Sequence, residues 1–229
     1  AAPTLTAPTT GPGSSSPTTG EPGGTGSTTS LPGTTIADAD LPGEALDLYP
    51  YAGADLIVVG VAADDVLHLR SGPGTDFASV DDLEPTAGGL RATGRNRLLA
   101  DSAWAEVVVG STVGWANLAY LAQQGPTADV TADLREQPVT DSVVGLAEAV
   151  ARLRATEGIE PRIAVVTEPT AADAGLQEIT VDVLGVGDDA VAGERLSIDV
   201  ASVADGMFAV RSVEATTLCS RGVVDGACA

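Results

Sequence analysis

One segment of this sequence has the spacing of an amphipathic helix, and the other apolar segments have the character of strands. Apolar residues recur every three or four positions in that segment, at Val143, Leu146, Ala147, Val150 and Leu153. Thr140 or Asp141 can cap the helix at its start, and Gly158 is expected to end it. One helix followed by strands implies an α+β unit rather than a doubly wound sheet, in which helices and strands alternate.

Four β-type segments follow the helix, over residues 163–167, 178–184, 195–201 and 207–215. Asp205-Gly206, between the last two segments, is a strong signal for a tight hairpin. We therefore predict an α+β domain over residues 140–229, with one helix and an antiparallel sheet. This order of elements is similar to cystatin-like and NTF2-like folds, in which a curved sheet wraps around a helix.

Residues 1–35 consist almost wholly of Thr, Ser, Gly and Pro. Such a segment cannot bury enough apolar surface to offset the entropy of ordering it, so we predict a disordered tether. It is either a linker without a role of its own or a stalk that lifts the folded domains off a membrane or wall. Residues 36–54 are interpreted as a connecting arm, and residues 123–139 as a linker with a helical turn near residues 130–135.

The charged residues exclude several kinds of chemistry. The chain has 32 Asp and Glu residues against 11 basic residues, all of them arginine, so its formal net charge is −21. Without lysine there is no Schiff base to pyridoxal phosphate and no Walker lysine to hold a nucleotide phosphate. A strongly acidic chain also lacks the cations that a nucleic acid requires. We expect no nucleic-acid partner and no cofactor.

The sequence has features of an exported protein. It contains no run of eighteen apolar residues, so we expect no membrane-spanning segment. It begins Ala-Ala-Pro-Thr, as expected of a mature protein after removal of a leader, with a signal peptide or a lipid-carrying cysteine upstream. We predict an extracytoplasmic location, either secreted or anchored to the membrane outside the cytoplasm. In that setting Cys219 and Cys228 are expected to form a disulfide, whereas both thiols would stay free in the cytosol.

Residues with catalytic or metal-binding chemistry are few. His68 is the only histidine, and it lies in a strand with no serine or cysteine placed to act as its partner. Residues 185–190 match a dinucleotide fingerprint superficially, but a strand follows them where that motif needs a helix. The Asp pairs at 64–65, 81–82 and 188–189 lack the spacing of a calcium loop and are interpreted as solvated turns. We predict no catalytic residues and no metal site.

The sequence of residues 66–75, Val-Leu-His-Leu-Arg-Ser-Gly-Pro-Gly-Thr, predicts a strand followed by a turn. An alternating strand leads into Ser-Gly-Pro-Gly, where two glycines permit positive φ and the proline restricts its own φ. Further along, residues 104–107 form a strand, Gly110 turns the chain, and residues 114–116 begin the returning strand. About five short strands with such turns predict a small β-barrel over residues 55–122.

This pattern resembles the bacterial SH3-like (SH3b) family over under a third of the chain. The family pattern, an L-x-V-R-S-G-P-G-T segment with two later tryptophan motifs and a final Tyr-Leu, is matched at Leu67, Leu69 to Thr75, Leu83, Leu90, Gly94, Trp104, Val107, Gly110, Gly114, Trp115, Tyr120 and Leu121. The sequence departs from the family at His68, where Asn is usual, and at Ala116, where Val is usual. Residues 86–89 replace the usual basic hairpin.

The resemblance implies a non-catalytic module of the cell envelope that docks onto peptidoglycan, its peptides or an envelope protein. The missing basic hairpin weakens the inference that this copy binds the same anionic wall polymers as its relatives. Phe77, Trp104 and Tyr120 are the candidate ligand-binding residues, with the alternative that they form the barrel core. Trp115 and Leu69 are interpreted as core residues.

Three functions remain open, and the first is the leading hypothesis. It is a non-catalytic, exported, envelope-associated protein whose SH3-like module binds a cell-wall component or a protein partner. The second is a small-ligand carrier or partner inhibitor acting through the α+β domain, with the barrel as a structural unit. A sizeable apolar pocket between helix and sheet would favour it. The third is an envelope hydrolase, which needs a nucleophile–base pair or a close carboxylate pair in a cleft.

Overall fold

The computed structural model of the chain describes residues 36–155, 160–185 and 189–229. The predicted tether at residues 1–35 and the predicted helix end at Gly158 lie outside the described residues.

We call residues 36–122 the first half of the molecule and residues 123–229 the second half. The strands that begin in the first half are β1 (Glu44–Ala45), β2 (Asp55–Val58), β3 (Leu67–Arg70), β4 (Ser79–Leu83), β5 (Leu90–Leu98), β6 (Ala103–Val109), β7 (Thr112–Asn117) and β8 (Leu121–Asp129). The last of these runs on into the second half.

The second half contains one helix and the longest strands of the chain. Its elements are β9 (Val139–Thr140), α1 (Val143–Arg154), β10 (Arg162–Val165), β11 (Thr170–Ala171), β12 (Gln177–Leu184), β13 (Val191–Ser202), β14 (Phe208–Cys219), β15 (Val223–Val224) and β16 (Ala227–Cys228). A 3₁₀ turn at Thr131–Asp133 occupies the place of the helical turn expected near residues 130–135.

The strand pairings are antiparallel throughout the described residues. They join the strands into one sheet in the order β10-β12-β13-β14-β8-β2-β5-β6-β7-β3-β4, with β1 beside β5, β9 beside β14 and β11 beside β12. The short strands β15 and β16 pair only with each other. The described residues therefore form a β-rich α+β fold with one α-helix, as the sequence predicts at this level.

The closed barrel expected over residues 55–122 is not formed by the described strand pairings. The path of paired strands ends at β4, which pairs with β3 alone, so this part of the sheet stays open. The strand that could close it, β8, pairs with β2 through Leu121 and Ala122 and then leaves to join β14. After Ala122, β8 pairs with β14 of the second half and not with β4, the open edge strand.

The predicted linker at residues 123–139 begins as part of strand β8. Gln123 pairs with Cys219, and Asp129 pairs with Glu214 on β14. The mixed polar composition of these residues is typical of a linker. Their hydrogen-bonding partner, β14, lies about ninety residues further along the chain, so composition alone does not predict the strand. Pairing with β14 satisfies the backbone groups of this segment and makes it continuous with both halves of the sheet.

Helix α1 buries one face against the sheet of the second half. Val143, Leu146, Ala147, Val150 and Ala151 of the helix are buried, and they pack on buried aliphatic residues of β12, β13 and β14. Most of these residues are fully enclosed, among them Leu146, Ile179, Leu196 and Ile198. The space between helix and sheet is thus filled by side chains.

The N-cap of the helix is Ser142, one residue after Asp141 and two after Thr140, the two predicted caps. Ser142 is the N-cap: its backbone is extended, and its Oγ accepts a hydrogen bond from the Gly145 N–H at 3.1 Å. Thr140 instead donates from Oγ1 to the Ser142 carbonyl at 2.7 Å. As part of β9, Thr140 also pairs with Phe208 of β14. Thr140 is therefore held in a strand, which leaves the capping position to Ser142.

The hairpin between β13 and β14 and the terminal disulfide are both confirmed. Asp205 and Gly206 have positive φ values of 61° and 73°, as a tight turn requires. Cys219 and Cys228 are bonded, with their Cα atoms 5.2 Å apart. The disulfide joins the end of β14 to β16 and encloses the short β15–β16 hairpin.

The first half has an aliphatic core and a separate aromatic cluster. Leu56, Leu69, Leu90 and Val107 are among the aliphatic residues, all close to fully buried. The second cluster holds Leu41, Trp104 and Trp115. The predicted interpretation of Trp115 and Leu69 as core residues agrees with their burial at 2% and 0% exposure.

Within Ser-Gly-Pro-Gly the two glycines have different roles. Gly74 has a φ of 123°, as predicted. Gly72 does not have positive φ; a side chain there would overlap the ring of Phe77. The motif therefore needs Gly72 for space and Gly74 for backbone conformation.

Candidate functional site

A buried ion pair joins the two halves of the sheet. Asp182 on β12 is fully enclosed, and Arg195 lies opposite it on β13. The guanidinium of Arg195 donates to both carboxylate oxygens, from Nε to Oδ1 at 2.7 Å and from Nη2 to Oδ2 at 2.9 Å. A bidentate pair of this kind holds both side chains in one orientation.

The same two side chains also hold the backbone of the first half. Gly60 donates its N–H to Asp182 Oδ2 at 2.7 Å, and Arg195 Nη2 donates to the Val58 carbonyl at 2.8 Å. A charged pair from one half thus satisfies backbone groups of the other. Enclosed charges are stable only when they are paired and hydrogen-bonded in this way. The ion pair therefore depends on backbone groups of the first half and holds Val58 and Gly60 beside β12 and β13.

An apolar cluster also joins the two halves. Ile57 and Val59 of the first half pack with Leu184 and Leu218 of the second, together with Ala122. Gly60, with a φ of +66°, lies in the segment after β2, residues 59–66. A Cβ at that position would lie 2.5 Å from Leu184 Cδ1 and 2.7 Å from Arg162 Nη2. Both atoms are at the ends of flexible side chains that can move, so it is the positive φ that favours glycine at this position.

A cleft opens beside this contact, between the segment after β2, strand β3, helix α1 and strand β10. We call it the junction cleft. Its volume is ≈ 690 Å³, within the typical range of ligand sites of about 300–1,000 Å³. The residues that matter for its chemistry are His68, Arg70, Tyr120, Arg152, Arg162 and Ile163.

Arg162 lies in the wall of the junction cleft and contacts the first half. Its Nη2 donates to the Ala119 carbonyl at 2.9 Å, and its guanidinium carbon lies 4.9 Å from the centre of the Tyr120 ring. This is the distance of a cation–π contact. Among the described residues, no carboxylate lies within ion-pair distance of Arg162.

Arg70, at the end of β3, is also without a carboxylate partner in the part of the chain that the structure describes. Its Nη1 donates to the carbonyls of Phe77 at 2.7 Å and Thr75 at 3.2 Å. Arg70 therefore holds the loop that follows Ser-Gly-Pro-Gly. In a chain of net charge −21, two such arginines in one cleft are a local excess of positive charge.

His68 reaches the same cleft from β3. Its Nδ1 lies 2.6 Å from Asp82 Oδ1, and Ser79 Oγ donates to that oxygen at 3.0 Å. The hydrogen bond from His68, followed by that from Ser79, lowers the pKa of Asp82 below its ordinary value. The aspartate stands between serine and histidine, whereas a catalytic triad needs the histidine in the middle.

A second cleft lies between the arm and the loop after β3. We call it the arm cleft; its volume is ≈ 910 Å³, and its walls include Asp40, Leu41, Asp76, Phe77, Leu99 and Trp104. Asp40 and Asp76 carry negative charge, so its chemistry is opposite to that of the junction cleft.

The structure places the three predicted ligand-binding aromatic residues at different sites. Tyr120 lines the junction cleft and Phe77 lines the arm cleft. Trp104 lies between the two and reaches both, but only 3% of it is exposed, and its Nε1 donates to Ser102 Oγ at 3.0 Å. The three rings therefore do not form one continuous binding face.

Sequence reasoning missed the charged residues of this region. Asp182 interrupts the apolar run of β12 and faces Arg195 once the β12–β13 register is known. That cross-strand pairing is the signal that could have found the ion pair. Arg70 and Arg162 carry no comparable local signal beyond the scarcity of basic residues in an acidic chain.

Other predicted sites lie apart from the clefts or partly outside the described residues. The glycine segment at 185–190 is described only at its two ends. Within the described ranges, no group of three or more His, Cys, Asp or Glu side chains is arranged to hold a metal ion. No described helix is long and apolar enough to cross a membrane. The Cys219–Cys228 disulfide is typical of proteins that mature outside the cytoplasm.

Comparisons with known proteins found no matching family model, no similar curated protein and no similar solved structure.

Proposed function

We propose that this chain is a non-catalytic, extracytoplasmic binding protein of the cell envelope. Its SH3-like module, residues 55–122 within the first half, docks onto a cell-wall component or a protein partner. The observation that carries the proposal is the junction cleft, where Arg70 and Arg162 lie beside Tyr120 without carboxylate partners in the described residues. Seven of the eleven arginines form ion pairs with carboxylates in the described structure, whereas Arg70 and Arg162 donate to backbone carbonyls and keep positive charge in the cleft for an external anionic ligand.

Two further observations support parts of this proposal. The disulfide supports maturation outside the cytoplasm, where the wall is accessible. The SH3-like assignment rests on the sequence resemblance over residues 55–122, in which Trp104 and Trp115 fall in successive strands. The Ser79–Asp82–His68 arrangement gives no support to a hydrolase, because the histidine has no nucleophile in contact with it among the described residues.

The alternative of a small-ligand carrier gains no support from the helix–sheet contact. α1 packs on fully buried aliphatic residues of β12 and β13. The junction cleft touches α1 only through Glu148 and Arg152 on its outer surface. A ligand in this cleft would contact both halves at once.

The test is co-sedimentation of the full chain with purified peptidoglycan at several salt concentrations. Tyr120→Leu removes the ring beside Arg162, and Phe77→Ala removes the ring of the arm cleft. We expect saturable binding that Tyr120→Leu abolishes and Phe77→Ala retains. Loss in Phe77→Ala alone would assign binding to the arm cleft instead. Absence of binding at every salt concentration would reject the wall component and leave only the protein partner.

A further inference from the structure

Strand β10 forms one end of the sheet, and its outer edge borders the junction cleft. It pairs with β12 along one side only. Just beyond the strand, Val166 donates its N–H to the Thr180 carbonyl at 2.8 Å, towards β12. Backbone groups alternate in direction along a strand, so those of Ala164 also face β12. The groups of Ile163 and Val165 then face away from it.

A second hydrogen bond fixes the same alternation from the other side. The Val165 carbonyl accepts from the Ala63 N–H at 2.8 Å, so it points towards the segment after β2. Ile163, two residues earlier, points its N–H and C=O in the same direction. Outside the strand ladder, no described residue forms a backbone hydrogen bond with Ile163. Among the described residues, the backbone donor and acceptor of Ile163 are therefore unpaired at the edge of the cleft.

The charges around this edge favour a negatively charged occupant. Arg162 is adjacent to Ile163 in sequence, and Arg70 faces the same cleft from β3. A third arginine of the lining, Arg152, is already bound to Glu148 at 3.1 Å. Asp65 also lines the cleft. Without the Arg152–Glu148 pair, the lining has two arginines that form no ion pair among the described residues, Arg162 and Arg70, and one carboxylate, that of Asp65.

We propose that an extended peptide segment carrying a carboxylate adds to the outer edge of β10 within the junction cleft. The peptide residue opposite Ile163 exchanges two backbone hydrogen bonds with it, and the carboxylate contacts Arg162 and Arg70. Strand addition supplies affinity through the main chain, and the charged contacts supply preference for acidic segments. This inference rests on the proposed binding function and specifies the ligand class.

The test uses the full chain and a fluorescein-labelled peptide, Thr-Val-Thr-Val-Glu with a free C-terminus, followed by fluorescence anisotropy. The first comparison peptide replaces Glu by Gln and ends in an amide, which removes the negative charge. The second is N-methylated at the central Thr and its neighbours, which removes backbone donors. We expect each change to weaken binding by about tenfold, and added salt to weaken only the charged peptide.

Two matched variants locate the peptide. Arg162→Gln removes a cleft cation and should weaken binding of the acidic peptide by about tenfold. Arg211→Gln, an exposed position on β14, makes the same change of charge away from the cleft and should leave binding unchanged. Ile163→Pro removes the edge N–H and should abolish binding, since proline is tolerated at a strand edge. The N-methylated peptide tests the same hydrogen bonds if that variant does not fold.

Equal binding of the acidic, neutral and N-methylated peptides would overturn the inference, as would absence of binding by all three. Equal loss in Arg162→Gln and Arg211→Gln would show a charge effect unrelated to the cleft and would also overturn it. The outcome is separable from the proposed function. Co-sedimentation with the wall that persists without peptide binding would leave the proposed function standing and remove only the peptide site.

Discussion

The two halves of the molecule build their stability differently. The first half has strands of mostly four to seven residues, joined by turns and covered by the arm. The second half has strands of eight and twelve residues and a helix packed on an all-aliphatic core. A long alternating strand buries every second residue, so the second half gains a continuous core from its pattern alone.

The first half compensates with arginine contacts to its arm. Arg95 binds Glu106 at 2.5 Å and Asp38 at 2.8 Å, and its guanidinium lies 5.5 Å from the ring of Trp115. Arg97 donates to the Asp38 carbonyl at 2.8 Å. These contacts hold the arm over the aromatic cluster that contains Leu41. Where strands are short, polar contacts between distant segments therefore take over part of what a long sheet supplies.

The junction ion pair is the strongest test of how the halves depend on each other. Asp182→Ala leaves Arg195 enclosed without a partner and should lower the free energy of unfolding by about 3–5 kcal/mol. Both tryptophans lie in the first half, so urea unfolding followed by their fluorescence reports that half, and far-UV circular dichroism reports the whole chain. We expect the two transitions to coincide in the wild type and to separate in Asp182→Ala.

Asp199→Ala is the control for that variant. Asp199 lies on β13 and accepts a single side-chain hydrogen bond, from the uncharged Ser212 hydroxyl at 2.8 Å, so its removal should cost only about 1 kcal/mol. The double change Asp182→Leu with Arg195→Met removes both charges and should recover part of the lost stability. A cost below 1 kcal/mol for Asp182→Ala, with coincident transitions, would contradict the assignment.

The disulfide should matter to the second half by a smaller amount. Cys228→Ser opens a loop with a sequence separation of 9 and should lower the free energy of unfolding by about 2–3 kcal/mol. Reduction of the wild type with dithiothreitol should give the same midpoint as the variant in urea. A variant as stable as the oxidised wild type would show that the hairpin of β15 and β16 needs no covalent closure.

The arm should respond to acid. Hydrogen bonding and charge from Arg95 lower the pKa of Asp38 below 3.8. A lowered pKa adds stability that is fully present above the unfolded value and is lost as the pH falls through the folded value. The Tm of the wild type should therefore exceed that of Asp38→Asn at pH 6, keep this difference down to about pH 4, and lose it only as the pH falls further through the folded pKa. Thermal unfolding measured from pH 6 to pH 2 tests this.

Asp40→Asn is the matched control for the acid experiment, because Asp40 has no arginine within ion-pair distance in the described structure. It should follow the wild type across the whole pH range. The prediction would be contradicted if Asp40→Asn had a lower Tm than the wild type at pH 6 and matched it in acid, while Asp38→Asn did not. The acid effect would then belong to Asp40.

The smallest effect is expected on the surface of α1. Glu148 and Arg152 form an exposed pair one helical turn apart, at 3.1 Å. Glu148→Gln should lower the free energy of unfolding by only about 0.3–0.5 kcal/mol, and less in high salt. Chemical unfolding at two salt concentrations measures it. A cost above 1 kcal/mol would mean that this pair also contributes to the contact between the halves.

The sequence predicted the second half more closely than the first. The helical spacing from Val143 onward corresponds to the buried face of α1. The strands predicted at 195–201 and 207–215 are present but extend further, to Val191–Ser202 and Phe208–Cys219. The extra residues of β14 pair with β8, and those of β13 pair with β14. A partner as distant in sequence as β8 leaves no local pattern.

The candidate site was much less predictable than the fold. Tyr120 was predicted as a ligand-binding residue and lies in the junction cleft, but Trp104 is enclosed and Phe77 belongs to the arm cleft. Arg70 and Arg162 come from strands on opposite sides of the cleft. Spacing within a segment cannot predict that two such strands face each other.

The sequence by itself determined the features that depend on residues close along the chain. The face of α1, the Asp205-Gly206 turn and the Cys219–Cys228 bond are of this kind. Only the tertiary structure decided the junction. There Asp182 accepts from a backbone group 122 positions away, and Arg195 donates to one 137 positions away. Such contacts form only when two separately patterned parts of one sheet come together, because their partners share no local periodicity or spacing.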